Sequence, residues 1–201
     1  MKRYWKRFVS LASTVLLCGS AAAVEPGEKA PDFTLPSMHG ESVTLSDHEG
    51  KIVVLEWINH ECPFVNKHYG SGNLPGLQEK YRDKGVVWLV INSSAPGKQG
   101  HLDAEGMIER SKKEGSNATH VLLDPEGKVG KAYGAKVTPH MFVINPEGEV
   151  VYNGAIDSKP TTKVEDIETA TDYVSEAIDA VMAGDEVPTK TSKPYGCGVK
   201  Y

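Results

Sequence analysis

Two cysteines stand where thiol chemistry could be done, and a third sits far from both. Cys62 follows the apolar run IVVLEWIN (Ile52 to Asn59) and directly precedes Pro63 and a helical segment, so its sulfur falls at a helix N-terminus. Free backbone N–H groups and the helix field favour thiolate over thiol there, which makes a cysteine nucleophilic rather than a small inert core residue. Cys197 lies in PYGCGVKY near the chain end, and its neighbours Gly196 and Gly198 should leave its thiol free to approach Cys62. Glu56 interrupts the apolar run six residues before Cys62. A carboxyl held in an apolar interior keeps its proton to higher pH and can pass it to or from a nearby sulfur; one that reaches solvent at the strand end is an ordinary carboxylate. Trp57 reads as core or site wall. His60, His68 and His140 could approach the same pocket, and thiolate with imidazole is a soft donor set that suits copper.

The elements that must position these residues are legible as alternating strands and helices. Ile52–Asn59, Val86–Asn92, His120–Asp124 and Met141–Asn145 are short apolar runs bounded by Gly, Pro, Asn or Asp, as expected of strands covered on both faces. Between them, helices are expected over Val65–Lys84, interrupted near Gly70–Pro75, and over Asp103–Glu114 with Asp103 as N-cap. Val164, Ile167, Thr171, Val174, Ile178 and Val181 recur at spacings of three and four, which predicts one helix from Val164 to Met182. Asn145-Pro146-Glu147-Gly148 ahead of VVYNGAI reads as a hairpin that ends the sheet in an antiparallel pair. The pattern is that of an α/β protein with a central mixed β-sheet flanked by helices, spanning residues 24–184. Residues 185–201, rich in Pro, Lys and Thr, read as an extended C-terminal arm.

The N-terminus looks different from the rest. Lys2 to Arg7 is basic, Phe8 to Cys18 is mostly apolar and small, and Ala21-Ala22-Ala23 offers a cleavage site, so residues 1–23 read as a secretory signal peptide. The apolar run is well short of the ~20 residues that span a bilayer. Leu17 ahead of Cys18 disfavours lipidation. Periplasmic or secreted localisation follows, with no stable membrane insertion after cleavage and a compartment that permits disulfides. Lys2, Arg3, Lys6 and Arg7 are four of the 22 basic residues set against 27 acidic ones. The remainder is therefore strongly acidic and has no basic cluster, which excludes nonspecific nucleic-acid binding.

The run GEKAPDFTLPSMHGESVTLSDHEGKIVVLEWINHEC (Gly27 to Cys62), with Val137-Thr138-Pro139 ahead of a strand, resembles the redoxin branch of the thioredoxin superfamily, the peroxiredoxin-like or AhpC/TSA-type proteins. That resemblance implies a thioredoxin fold, a nucleophilic cysteine opening the first helix, and a cis-proline facing it, for which Pro139 is the matching position. The sequence departs from both main patterns. Val65 stands where a Cys-x-x-Cys site has its resolving cysteine. Asn59 and Leu55 stand where a peroxiredoxin has Thr and Pro, and Lys136-Val137-Thr138-Pro139 lacks the expected Arg. Thioredoxin-fold copper chaperones carry Cys-x-x-x-Cys, and here Asn66 takes the second position.

Cys197 can supply what Val65 does not. The 13 residues Gly184 to Gly196 extend to roughly 43 Å at about 3.3 Å each, comparable to the diameter of such a domain. The expected function is thiol-dependent oxidoreduction, by disulfide exchange or peroxide reduction, with Cys62 as nucleophile, Cys197 as resolving thiol and Glu56 and Pro139 completing the site. The implied partners are protein or small-molecule thiols, disulfides or peroxides and an external thiol reductant, with no cofactor or metal required. The alternatives are a copper-binding chaperone or a noncatalytic interaction module.

Overall fold

The structure, a computed structural model, describes residues 23–201. The signal-peptide segment expected over residues 1–23 therefore lies, up to residue 22, outside the described residues. The central sheet has five strands in the order β5-β4-β3-β7-β8: β3 (Val53–Trp57), β4 (Val87–Asn92), β5 (His120–Leu123), β7 (His140–Ile144) and β8 (Val150–Gly154). β3 is parallel to β4, β4 is parallel to β5, and β7 runs antiparallel to both β3 and β8. Every residue of β3, β4 and β7 is buried, which is why these segments read as continuous apolar runs. The Asn145–Gly148 turn joins β7 to β8 as expected, with the Gly148 N–H on the Asn145 carbonyl at 2.9 Å.

The two faces of the sheet carry different layers. On one, Val54, Val90, Met141 and Val143 pack beneath residues of α1 (Pro63–Gly70), α2 (Asn73–Arg82), α3 (Ala104–Lys113) and α5 (Tyr173–Ala183). On the other, Leu55, Trp57, Leu89 and Phe142 meet the hairpin of β1 (Thr34–Pro36) and β2 (Ser42–Thr44) and the short helix α4 (Lys128–Tyr133). This is the thioredoxin fold with an added N-terminal hairpin. Strand register alone decides which layer a side chain joins, because successive residues face opposite sides.

The helix expected from Val164 to Met182 is two elements. Val164–Thr169 is a 3-10 turn with Val164 50% exposed, and α5 begins only at Tyr173. Thr171 is drawn into extended pairing with Ser158, its carbonyl accepting the Ser158 N–H at 3.0 Å and its N–H reaching Ser158 Oγ at 2.9 Å. Asp172 then caps α5 by accepting the Ser175 N–H at 3.0 Å. The apolar spacing runs across this break by coincidence.

The arm is extended but not loose. Lys190–Ser192 runs along the β8 edge, with the Asn153 N–H on the Lys190 carbonyl at 3.1 Å and the Ser192 N–H on the Asn153 carbonyl at 3.3 Å. Further on, β9 (Cys197–Gly198) pairs antiparallel with β6 (Val137–Thr138), setting Thr138 opposite Cys197. No helix among the described residues is long and apolar enough to cross a membrane.

Candidate active site

Cys62 is the N-cap residue of α1, with extended backbone and Pro63 in the first turn. Proline suits that place because the N–H it lacks would have no partner within the helix. The turn delivering the cysteine is built on Asn59, whose carbonyl accepts the Cys62 N–H at 2.9 Å and whose Oδ1 accepts the Glu61 N–H at 2.9 Å. From the other side the Thr138–Pro139 peptide, which is cis, brings the Thr138 carbonyl to 3.1 Å from Cys62 Sγ. The Cys197 N–H points at the same sulfur from 3.4 Å. Cys62, Pro139 and Cys197 thus meet within one chain.

Gly196 also has a packing role beside Cys197. At φ +138°, a Cβ on it would lie 2.0 Å from the Thr138 oxygen, so glycine is what lets the arm lie flat on the proline edge. The Cys62 sulfur is not open to solvent: Cys62 is 1% exposed, covered by the segment that carries Cys197, which is itself half-buried.

The two sulfurs are electrostatically unequal. Burial pushes the Cys62 thiol up, and the Thr138 carbonyl also suits the protonated form. Hydrogen bonds from the Cys197 thiol, the Val65 and Cys197 N–H groups and the Thr138 side chain outweigh both and hold Cys62 below its ordinary value. Cys197 goes the other way, pushed up to about 11 by burial and by its hydrogen bond and charge interaction with Cys62. One thiol is prepared to ionise and the other to remain protonated beside it.

Glu56 is completely buried rather than reaching solvent. Its carboxyl accepts hydrogen bonds from Trp88 Nε1 at 2.7 Å, Tyr69 Oη at 2.9 Å and Gln78 Nε2 at 3.1 Å. Burial nonetheless dominates these three donors and pushes its pKa up to about 7. No hydrogen bond joins Glu56 to Cys62 among the described residues; Tyr69, on α1, links the acid to the helix that Cys62 begins.

The histidines do not converge on the sulfur. His140 shares the Phe142 face of β7, its ring 4.7 Å from that of Phe142, while Cys62 belongs to the layer on the other side. Its Nε2 meets Asn153 Oδ1 at 2.8 Å and its Nδ1 accepts the Lys136 N–H at 3.3 Å, and burial pushes its pKa down to about 4. His60 turns toward α3, with Nδ1 2.6 Å from Glu114 Oε2 and Nε2 3.2 Å from Met107 Sδ. His68 is committed to Asn73 and Tyr195. Arg110 spends its guanidinium on the His60 carbonyl at 2.6 Å and on Glu114 at 2.6 Å. Among the described residues no group of three or more His, Cys, Asp or Glu side chains is placed to hold a metal.

A thiol pair at a helix start against a cis-proline, on this sheet order, defines a thioredoxin-fold thiol oxidoreductase. The chain belongs to the AhpC/TSA family, whose model matches residues 26–153. It is 26% identical over 159 residues to the thiol-disulfide oxidoreductase ResA of Halalkalibacterium halodurans, covering 75% of this chain and 85% of that one. Among solved structures it is similar to an uncharacterized conserved protein from Geobacillus kaustophilus, at TM-score 0.73 and 30% identity, covering 88% of this chain and 92% of that one. It also resembles a putative thiol:disulfide interchange protein DsbE from Chlorobium tepidum, at TM-score 0.59 and 25% identity, over 80% of this chain and 99% of that one.

Sequence reasoning missed the residues that seat the arm. Lys67, Asp157 and Tyr195 form a buried polar cluster with His68, yet Lys67 and Asp157 lie 90 positions apart in the chain. Only the polar character of Lys67 and His68 on the inner face of α1 could have signalled it.

Proposed function

We propose that the protein is an exported thiol-disulfide oxidoreductase in which Cys62 and Cys197 form the redox pair. The single observation that carries this is the approach of the Cys197 thiol and N–H to Cys62 Sγ, on a chain that has Val65 where a local partner would be. In the reducing direction the Cys62 thiolate attacks one sulfur of a substrate disulfide, forming a mixed disulfide and releasing the other sulfur as a thiolate. The Cys197 thiol, once deprotonated, then attacks Cys62 Sγ, expels the second substrate thiolate and leaves a Cys62–Cys197 disulfide. An external thiol returns the pair to the reduced state. Its first attack falls on half-buried Cys197, because that sulfur is the more accessible one and Cys62, the more acidic thiol, is the better leaving group.

Disulfide exchange is favoured over peroxide reduction because, among the described residues, Arg110 is engaged with the His60 carbonyl and Glu114 and no guanidinium is hydrogen-bonded to Cys62. Export is supported by the basic and apolar segments of residues 1–23, and the domain would then comprise residues 24–184 with the arm at 185–201. Pro139 is assigned to hold the edge on which substrate backbone pairs when the arm is displaced. Glu56 is assigned to tune Cys62 through Tyr69 and α1.

Reduction of insulin and of a small aromatic disulfide by the wild type, Cys62→Ser and Cys197→Ser proteins tests this assignment. Cys62→Ser is expected to fall to background, and Cys197→Ser to accumulate a mixed disulfide on Cys62. Unchanged turnover in Cys62→Ser overturns the proposal.

A further inference from the structure

The arm is held on its two sides of Cys197 by very different means. Upstream, Tyr195 enters a buried polar cluster. Its hydroxyl donates to Asp157 Oδ1, and its ring meets Phe64 of α1 edge-on at 5.6 Å. Asp157 Oδ2 faces Lys67 Nζ at 3.3 Å, whose side chain is 0% exposed, and His68 Nε2 at 3.7 Å. Lys67 also donates to the Lys159 carbonyl at 3.2 Å, and the Lys159 N–H donates to Asp157 Oδ1 at 2.8 Å. His68 is oriented by Asn73, whose amide lies 2.9 Å from Nδ1, so that Nε2 is left to face Tyr195 Oη at 3.4 Å. Before Tyr195, Ser192 Oγ accepts the Ala155 N–H at 2.9 Å and meets Tyr152 Oη at 2.7 Å.

Downstream the ties are those of a surface segment. β9 contributes two paired residues, the Val199 N–H reaches the Lys136 carbonyl at 3.1 Å, and the Ala95 N–H reaches the Lys200 carbonyl at 2.8 Å. Gly198 is exposed, and Tyr201, 36% exposed, donates through its hydroxyl to the Ala135 carbonyl at 2.8 Å. Segments with few buried contacts open at lower cost than those tied into a core. Yet substrate cannot reach Cys62 unless something lifts, because the cysteine is sealed beneath this stretch.

Resting on the Cys62–Cys197 exchange proposed above, we propose that Tyr195 is the positioning residue of the thiol pair. Held by Asp157 and His68, it is the fixed pivot that seats Cys197 on Cys62, and residues 196–201 are the strap that swings away to admit substrate. Gly196, the only residue between pivot and cysteine, supplies the backbone freedom such a swing needs. Tyr195 touches neither sulfur. It acts by raising the effective concentration of Cys197 at Cys62, as a stiff, short tether does.

Tyr195→Phe tests this, since it keeps the ring against Phe64 and leaves Asp157 with Lys67 and the Lys159 N–H. The full chain is equilibrated with reduced and oxidised glutathione, in which the two protein thiols and one glutathione disulfide exchange for the Cys62–Cys197 disulfide and two glutathione thiols. The expected result is a fall of about tenfold in the equilibrium constant for the protein disulfide, the scale of one hydrogen bond to a charged group. Alkylation of Cys62 in the reduced protein is expected to quicken. Tyr195→Ala should extend both effects. Both quantities remaining at wild-type values, with or without a change in global unfolding, overturns the pivot while leaving the redox pair intact. A wild-type protein that forms no Cys62–Cys197 disulfide in the same experiment overturns the redox pair and the pivot together.

Discussion

Three consecutive residues of α1 enter two buried polar clusters, and the clusters do different work. Tyr69 reaches Glu56, which Trp88 and Gln78 also satisfy, and Gln78 in turn accepts the Asn117 N–H at 2.8 Å. All of these belong to the body of the domain, so the network braces α1 against the sheet without a member on the arm. Lys67 and His68 reach Asp157 and, through it, Tyr195 of the arm. The first cluster has one acid with no cationic partner in it; the second has a lysine and an aspartate in contact. Burial raises the acid of the first toward neutrality, whereas in the second Asp157 Oδ2 faces Lys67 Nζ at 3.3 Å. A titratable brace and an ionic latch thus hang from one short helix whose N-cap is the nucleophile.

The sharpest way to break the comparison is to remove charge from the latch. Asp157→Asn leaves Lys67 buried without a counter-charge, and a loss of about 3–5 kcal/mol is expected in urea unfolding. Adding Lys67→Met should restore most of it, since an uncharged pair of similar volume fits the same space. A cost near zero for the single variant would mean that Lys67 is not held as an ion, and the contrast with Glu56 would vanish.

The brace should announce itself through pH. Between its ordinary value of 4.5 and about 7 the folded protein retains a proton on Glu56 that the unfolded chain has released. Its contribution is therefore fully present below pH 4.5 and is lost as pH rises through about 7. Comparing wild type with Glu56→Gln from pH 4 to 8 isolates this group, and the difference in unfolding free energy should change by about 3 kcal/mol across that window. A flat difference would show that Glu56 ionises in the folded state as it does in the unfolded one.

The body of the fold was legible because burial on both faces writes itself as unbroken apolar runs, and because Pro63 and Asp103 mark helix starts in the chain. Cys62 was found from a local signal of that kind, whereas Pro139 was reached only through the family resemblance. His140 was misplaced although the rule that places it is simple: in β7 it alternates with Met141, so adjacency to Pro139 puts it on the face away from Cys62. The short helix α4 has only six residues, too few for a helical period to show. The ionic latch was invisible for another reason. Its members come from α1, the loop after β8 and the arm, and only the closed fold brings them together.

The gentlest test asks whether the pivot divides the arm where the comparison says it does. Tyr201 Oη donates to the Ala135 carbonyl at 2.8 Å, and its ring is seated so closely that a Cβ on Gly127 would lie 2.3 Å from Cδ1. Tyr201→Phe keeps that seat and removes one hydrogen bond between neutral groups, worth about 1 kcal/mol. If the strap opens independently of the latch, hydrogen exchange at the Val199 N–H should quicken about fivefold. The Ser192 N–H, bonded to Asn153 upstream of Tyr195, should exchange as before. Equal acceleration at both amides would mean that the arm opens as one piece from the β8 edge onward, with the buried cluster at Tyr195 letting go together with the chain end.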